Sequence, residues 1–184
     1  NNAAPALIIS GPGYGLTIHN GGIFLNASGI ISGQSVQVAD SLRINNGGRY
    51  IHQTRGSHAA SISQILSRAP GTETGVVEFD VPGTTGYTIS ASARVYGTLI
   101  LSANAAGLAR TYSSSGASNF WVRGNFQLNA GVNYNINLAG NMIVEENLMH
   151  DGNSLNISSG GDNTILQLKG NLSQSGIITE TSTG

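Results

Sequence analysis

Glu78 and Asp80 flank Phe79 in the run VVEFDV. On an extended strand both carboxylates leave the same face, about 7 Å apart. Paired carboxylates at about 5–9 Å are what glycoside hydrolysis requires, one as acid and the other as base or nucleophile. Outward alternation on any strand yields the same pair, so the spacing alone does not specify catalysis. His52, Arg55 and His58 form a second cluster in YIHQTRGSHAA. Two imidazoles and a guanidinium suit an acidic sugar. They suit zinc poorly, because the His-x5-His spacing is not a zinc signature and no carboxylate lies close in sequence. Polar loop residues without a ligand are the plainer reading. Trp121 and Arg123 form the third group: in NFWVRGNF alternation puts Phe120 and Val122 on one side and Trp121 with Arg123 on the other. If Phe120 and Val122 face the core, an exposed indole stands beside a guanidinium, a platform on which a glycan ring stacks or which covers a neighbouring coil. The turns His150-Asp151-Gly152-Asn153 and Gly160-Gly161-Asp162-Asn163 carry oxygen donors of the kind calcium takes. They lack the nonapeptide repeat that makes such sites regular, and turn chemistry accounts for them. No other cofactor is implied.

The elements that must position these residues are short and repeated. LTIHNGGIFL at 16–25 returns as LRINNGGRYI at 42–51. Alternating Leu16, Ile18 and then Leu42, Ile44 have the period of a strand with one buried face. Asn20-Gly21-Gly22 and Asn46-Gly47-Gly48 supply residues that tolerate a sharp turn. Buried positions are held while Thr17 becomes Arg43, which is a constraint on a core. Looser copies start at Phe126 in GNFQLNAGVNYNI, at Leu148 and at Leu172. One short-strand unit every 20–50 residues indicates a solenoid. The expected fold is therefore all-β: a parallel β-helix of about 22–26 residues per coil, running through the chain 1–184 as one segment. Eight coils of about 23 residues, at the strand spacing, would give a rod roughly 40 Å long. Asparagines at successive turns would form hydrogen-bonded ladders. A β-sandwich is the alternative, since it also has many short strands between turns.

The period breaks between the second and third clear copies. Residues 52–75 read as an insertion, with Ile62, Ile65 and Leu66 at the spacing of a short helix before Pro70. Long insertions on a scaffold are where function tends to sit.

Composition narrows the function classes. Only 9% of residues are charged and the net charge is −1, with 8 Lys+Arg against 9 Asp+Glu, so there is no basic stripe for a nucleic acid backbone. The absence of cysteine excludes a disulfide framework and Cys-ligated zinc. No run of about 18 apolar residues is present for a membrane span. NNAAPALIIS lacks a charged leader and TETSTG shows no terminal element, so the sequence reads as a piece of a longer repeat protein. Its single lysine, Lys169, and scattered arginines are unlike the clustered charges of a polysaccharide lyase or hydrolase.

The run TGVVEFDVPG…GYTISASARVYGTLILSANAAG…TYSSSGAS, followed by repeats of the type GNFQLNAG, resembles a module of large secreted Bacteroidetes surface proteins. YIHQTRGSHAA and APGTETG belong to the same likeness, which covers the chain from about residue 16 onward. That resemblance implies export by the type IX secretion system, an extracellular or cell-surface location and long repetitive architecture. It brings no catalytic residues, and the sorting domain that usually ends such proteins is not visible. The expected function is a non-catalytic structural or adhesive segment whose partners are other segments of the same protein or the secretion and surface machinery. A glycan-binding module using Trp121, Arg123 and the 52–58 loop is the alternative, and a polysaccharide-degrading enzyme comes last.

Overall fold

In the computed structural model the described residues are 7–38, 41–59 and 66–182. They form a parallel β-solenoid of about six turns with no helix. Three faces run its length. The first is a seven-stranded sheet in the order Leu172–Gln174, Leu148–His150, Phe126–Leu128, Thr98–Leu101, Val76–Phe79, Arg49–His52, Ile23–Asn26. The second has five strands, from Ile177–Thr179 through Ser154–Asn156, Val132–Leu138 and Arg110–Gly116 to Tyr87–Thr88. The third has four: Leu166–Leu168, Met142–Val144, Phe120–Val122 and Val95–Tyr96. Two smaller pairs, Leu7–Ile9 with Val36–Val38 and Tyr14–Ile18 with Ser41–Ile44, complete the first coils. Every pairing is parallel, which excludes the antiparallel sandwich.

Leu16 stands in register with Leu42, and Ile18 with Ile44, as the repeat requires. Six turns rather than eight shorten the rod to roughly 30 Å at the parallel strand spacing. Coil length is close to the expected 22–26 residues. Along the inward column of the first face, Phe24, Tyr50, Val77, Leu99, Phe126, Leu148 and Leu172 succeed one another in register, 22 to 27 residues apart. Tyr50 and Val77 are direct neighbours in that column. They are 27 residues apart, the spacing that Leu99 and Phe126 also show. Ile62 and Ile65 of the expected helix lie outside the described residues, and Leu66 is buried in the core.

The phase of the later copies also differs from the sequence reading. Phe126, Leu148 and Leu172 stack above Phe24 and Tyr50, not above Leu16 and Leu42. A coil with several similar strand–turn–strand corners offers more than one way to align short apolar copies. LTIHNGGIFL corresponds instead to FWVRGNFQL, MIVEENLMH and LQLKGNLSQ, each a strand, a polar corner and a strand of the first face.

Apolar columns fill the interior, and aromatic rings thicken it: Phe24 stacks on Tyr50 at 5.8 Å, and Phe126 meets Tyr134 edge-on. At one corner Asn125, Asn147 and Asn171 form the expected ladder. Asn147 donates through Nδ2 and its backbone N–H to Asn125 Oδ1 (both 3.1 Å), and Asn171 repeats both contacts on Asn147. Buried hydroxyls tie the coils together. The Tyr112 hydroxyl lies 2.7 Å from Ser102 O and 2.9 Å from Phe79 O, and it accepts from the Val81 N–H at 3.0 Å. Tyr112→Phe leaves that N–H without its acceptor, so a loss of about 2 kcal/mol is expected in urea unfolding. An unchanged midpoint would show that the network contributes nothing.

Candidate functional site

The three residue groups meet different fates on this scaffold. Glu78 points outward from the first face, yet it is covered. Its Oε2 accepts from Arg49 through Nε at 3.0 Å and through Nη2, and Oε1 accepts from Ser102 Oγ at 2.6 Å. Asp80 accepts from Gln53 Nε2 at 2.9 Å and from the Ala105 N–H at 2.9 Å. Both residues are buried. Each carboxylate is thus held by neighbouring coils.

His52 and His58 are not loop residues on the surface. Alternation continues from Tyr50 through His52, so the imidazole enters the core, in register with Asn26 and Phe79. Its Nδ1 lies 3.2 Å from the Tyr50 hydroxyl and its Nε2 lies 3.0 Å from Gly56 O. A carbonyl only accepts, which assigns the ring proton to Nε2. His58 Nε2 accepts from the Ser90 N–H at 2.9 Å, so its proton sits on Nδ1, facing the Tyr87 hydroxyl at 2.9 Å. Phe79 closes on both rings. Burial lowers His52 to about 4, and burial with the charges of His52 and Arg94 lowers His58 to about 3. Both are neutral core residues with no access to a glycan. Arg55 stays apart from them, exposed and donating to Thr85 Oγ1 at 2.9 Å. The grouping of these three as one binding loop is corrected on that ground: the alternation of a strand carries the first histidine inward.

Trp121 and Arg123 do stand together on the third face. Phe120 and Val122 are fully buried, while Trp121 is partly exposed in register with Val95 and Ile143. Arg123 donates through Nη1 to Ser67 O at 2.7 Å and lies 3.5 Å from Glu73 and 3.9 Å from Glu145. Lys169 continues the line, 3.4 Å from Glu145. A cleft of about 240 Å³ opens here, lined by Arg68, Val95, Trp121, Arg123 and Glu145. An indole face with a guanidinium at its edge is suited to stacking on one sugar ring.

Among the described residues no group of three His, Asp or Glu side chains stands where it could hold a metal. Asp151 accepts from Ser175 Oγ, and Asp162 O accepts from Ser158 Oγ, which is turn chemistry. Sequence reasoning missed a second cleft of about 260 Å³, lined by Thr88, Ile89, Ser90, Ala91, Ser92, Arg94 and Ser115. The only sequence signal for it is the polar run TISASAR with its one guanidinium. Compared with known protein families, curated proteins and solved structures, the chain matches none.

Proposed function

We propose that this chain is a non-catalytic structural and adhesive segment of a large extracellular, cell-surface repeat protein, serving as a stalk that also makes surface contacts. The observation that carries the reading is the use of polar side chains along the rod. Asn125, Asn147 and Asn171 bond to one another, Arg49 to Glu78, Gln53 to Asp80, and Arg123 and Lys169 to Glu145. The groups that would form a reactive centre are engaged in holding coil to coil. The last coil presents Ile165, Leu172 and Ile177 exposed beside strands paired on one side only, an edge suited to stacking against further repeats of the same protein. The resemblance to type IX-exported Bacteroidetes modules supports the extracellular placement.

A panel of polysaccharides incubated with the chain should yield no new reducing or unsaturated ends. Turnover that disappears in Glu78→Gln would contradict the reading. The second reading, a glycan-binding module, is favoured by the cleft at Trp121. On a neutral-glycan array the stalk should give no signal, and Trp121→Ala should leave the far-UV CD spectrum unchanged. A reproducible neutral-glycan signal lost in Trp121→Ala would favour the module.

A further inference from the structure

Six of the eight basic side chains have a polar partner: Arg43, Arg49, Arg55, Arg110, Arg123 and Lys169. Arg68 has none among the described residues, but it is exposed and water serves it. Arg94 differs. Its side chain is half-buried, its Nε is enclosed without an acceptor, and the guanidinium makes no hydrogen bond or ion pair among the described residues. A guanidinium is a planar cation whose donors match a carboxylate in pairs. After burial and His52, the charge of Arg94 adds to what holds the His58 ring below its usual range.

The walls around it supply donors. Ser92 Oγ accepts from the Ser118 N–H at 3.0 Å, which leaves the Ser92 hydroxyl proton to be donated elsewhere. Ser90 and Ser115 bring two more hydroxyls to the same cleft, and Thr88 stands at its edge. The backbone is unusual at the same place. Ala93, immediately before Arg94, has φ 59°, the only non-glycine positive φ among the described residues. A side chain held in the left-handed region is strained, and such strain collects at binding sites. The turn it makes carries the chain from the serine run to Arg94.

We propose that this cleft is an oxyanion site that takes the carboxylate of a single uronic acid residue of an acidic glycan. The guanidinium meets a carboxylate through two parallel N–H···O bonds. Hydroxyls at Ser90, Ser92 and Ser115 exchange hydrogen bonds with the sugar's own. The volume, below that of ordinary small-molecule pockets, holds one ring. The proposal rests on the adhesive part of the function above and is separate from the Trp121 cleft.

The test is ¹H–¹⁵N NMR of the whole chain, following the Arg94 Nε–H while sodium glucuronate is added at constant ionic strength. A saturable shift is expected with glucuronate and none with glucose or added chloride. Read on the backbone amides of Ser90, Ser92 and Ser115, which should shift together with it in the parent chain, binding should be abolished in Arg94→Gln with the remaining backbone spectrum retained, and weakened about tenfold in Ser92→Ala. If Arg94→Gln fails to fold, Arg94→Lys keeps the charge but not the planar fork and should weaken binding at least tenfold. An Nε–H that ignores glucuronate, or that follows chloride equally, overturns the site. Tighter binding of N-acetylglutamate than of glucuronate would overturn the glycan in favour of an acidic peptide. Polysaccharide turnover would sink the non-catalytic stalk without touching this site, and an unresponsive Arg94 would leave the stalk standing.

Discussion

Gly97→Ala should lower the stability of the chain by about 3 kcal/mol, at the upper end of what overpacking costs. A Cβ at Gly97 would fall against Gly75 O, 2.7 Å from Thr72 O and 2.9 Å from Gly75 N. All three are backbone atoms of the preceding coil, so no side chain can swing away. Relief demands that two coils part at the corner between the third and first faces, where Thr98 N–H donates to Gly75 O at 2.9 Å. For a chain of this length the loss corresponds to roughly 6–12 °C in Tm. Gly161→Ala is the matched control, because nothing lies within 4 Å of its added Cβ and its φ is not positive. It should stay within about 0.5 kcal/mol of the parent. Equal effects of the two substitutions would mean that coils do not approach at Gly97.

Acid should unfold the protein through its two core histidines. His52 and His58 are held at about 4 and about 3, first by burial, against 6.5 in an unfolded chain. Between about pH 4 and 6 the unfolded chain therefore binds two protons that the folded chain refuses. Stability rises with pH wherever the unfolded state binds more protons. Their contribution is complete above about pH 6.5 and is lost as pH falls toward 4 and then 3. Two protons give a slope of about 2.7 kcal/mol per pH unit in that window. At His58 the geometry adds to burial, because a proton on Nε2 would face the Ser90 N–H that it now accepts from; at His52 burial alone lowers the value. Urea unfolding from pH 4.5 to 7.5 measures the slope, and His58→Gln should halve it. A flat profile would place both rings in water.

Much of the architecture was legible because the same apolar alternation recurs next to the same kind of corner. Leu16, Ile18, Leu42 and Ile44 needed only a period of two and a spacing of 26 to be placed above one another. The asparagine ladder followed from residues that repeat at turns. Phase was not legible, since FQL, LMH and LSQ resemble the strand before the corner as closely as the strand after it. Only the register shows that they continue the column of Phe24 and Tyr50.

The site residues divide along the same line. Trp121 and Arg123 came from local alternation, and they line one cleft, Trp121 on the strand and Arg123 just beyond its end. Glu78 was correctly assigned to the outward side, but its partner Arg49 is 29 residues away and becomes a neighbour only through the stacking of coils. His52 was misplaced because a polar residue near Gly56 resembles loop sequence. The alternation Tyr50-x-His52 carried the correct answer, and the partner that makes burial tolerable, Gly56 O, is supplied by the turn itself. Arg94 gave no sequence sign beyond the polar run TISASAR that it ends, since an arginine without a partner looks like any other.

The account rests on parallel coils in register, and a chain without cysteine offers a direct test by cross-linking. Gln127 and Met149 both face outward on the first face and are register partners on adjacent rungs. Their Cα atoms stand about 4.8 Å apart, within the range a disulfide spans. Ser173 lies one rung beyond Met149, about twice that distance from Gln127. On mild oxidation the monomer carrying Gln127→Cys with Met149→Cys should close its disulfide nearly completely, and the one carrying Gln127→Cys with Ser173→Cys should not. Closure of the 127–173 pair in preference to 127–149, or of neither, would contradict the stacked coil.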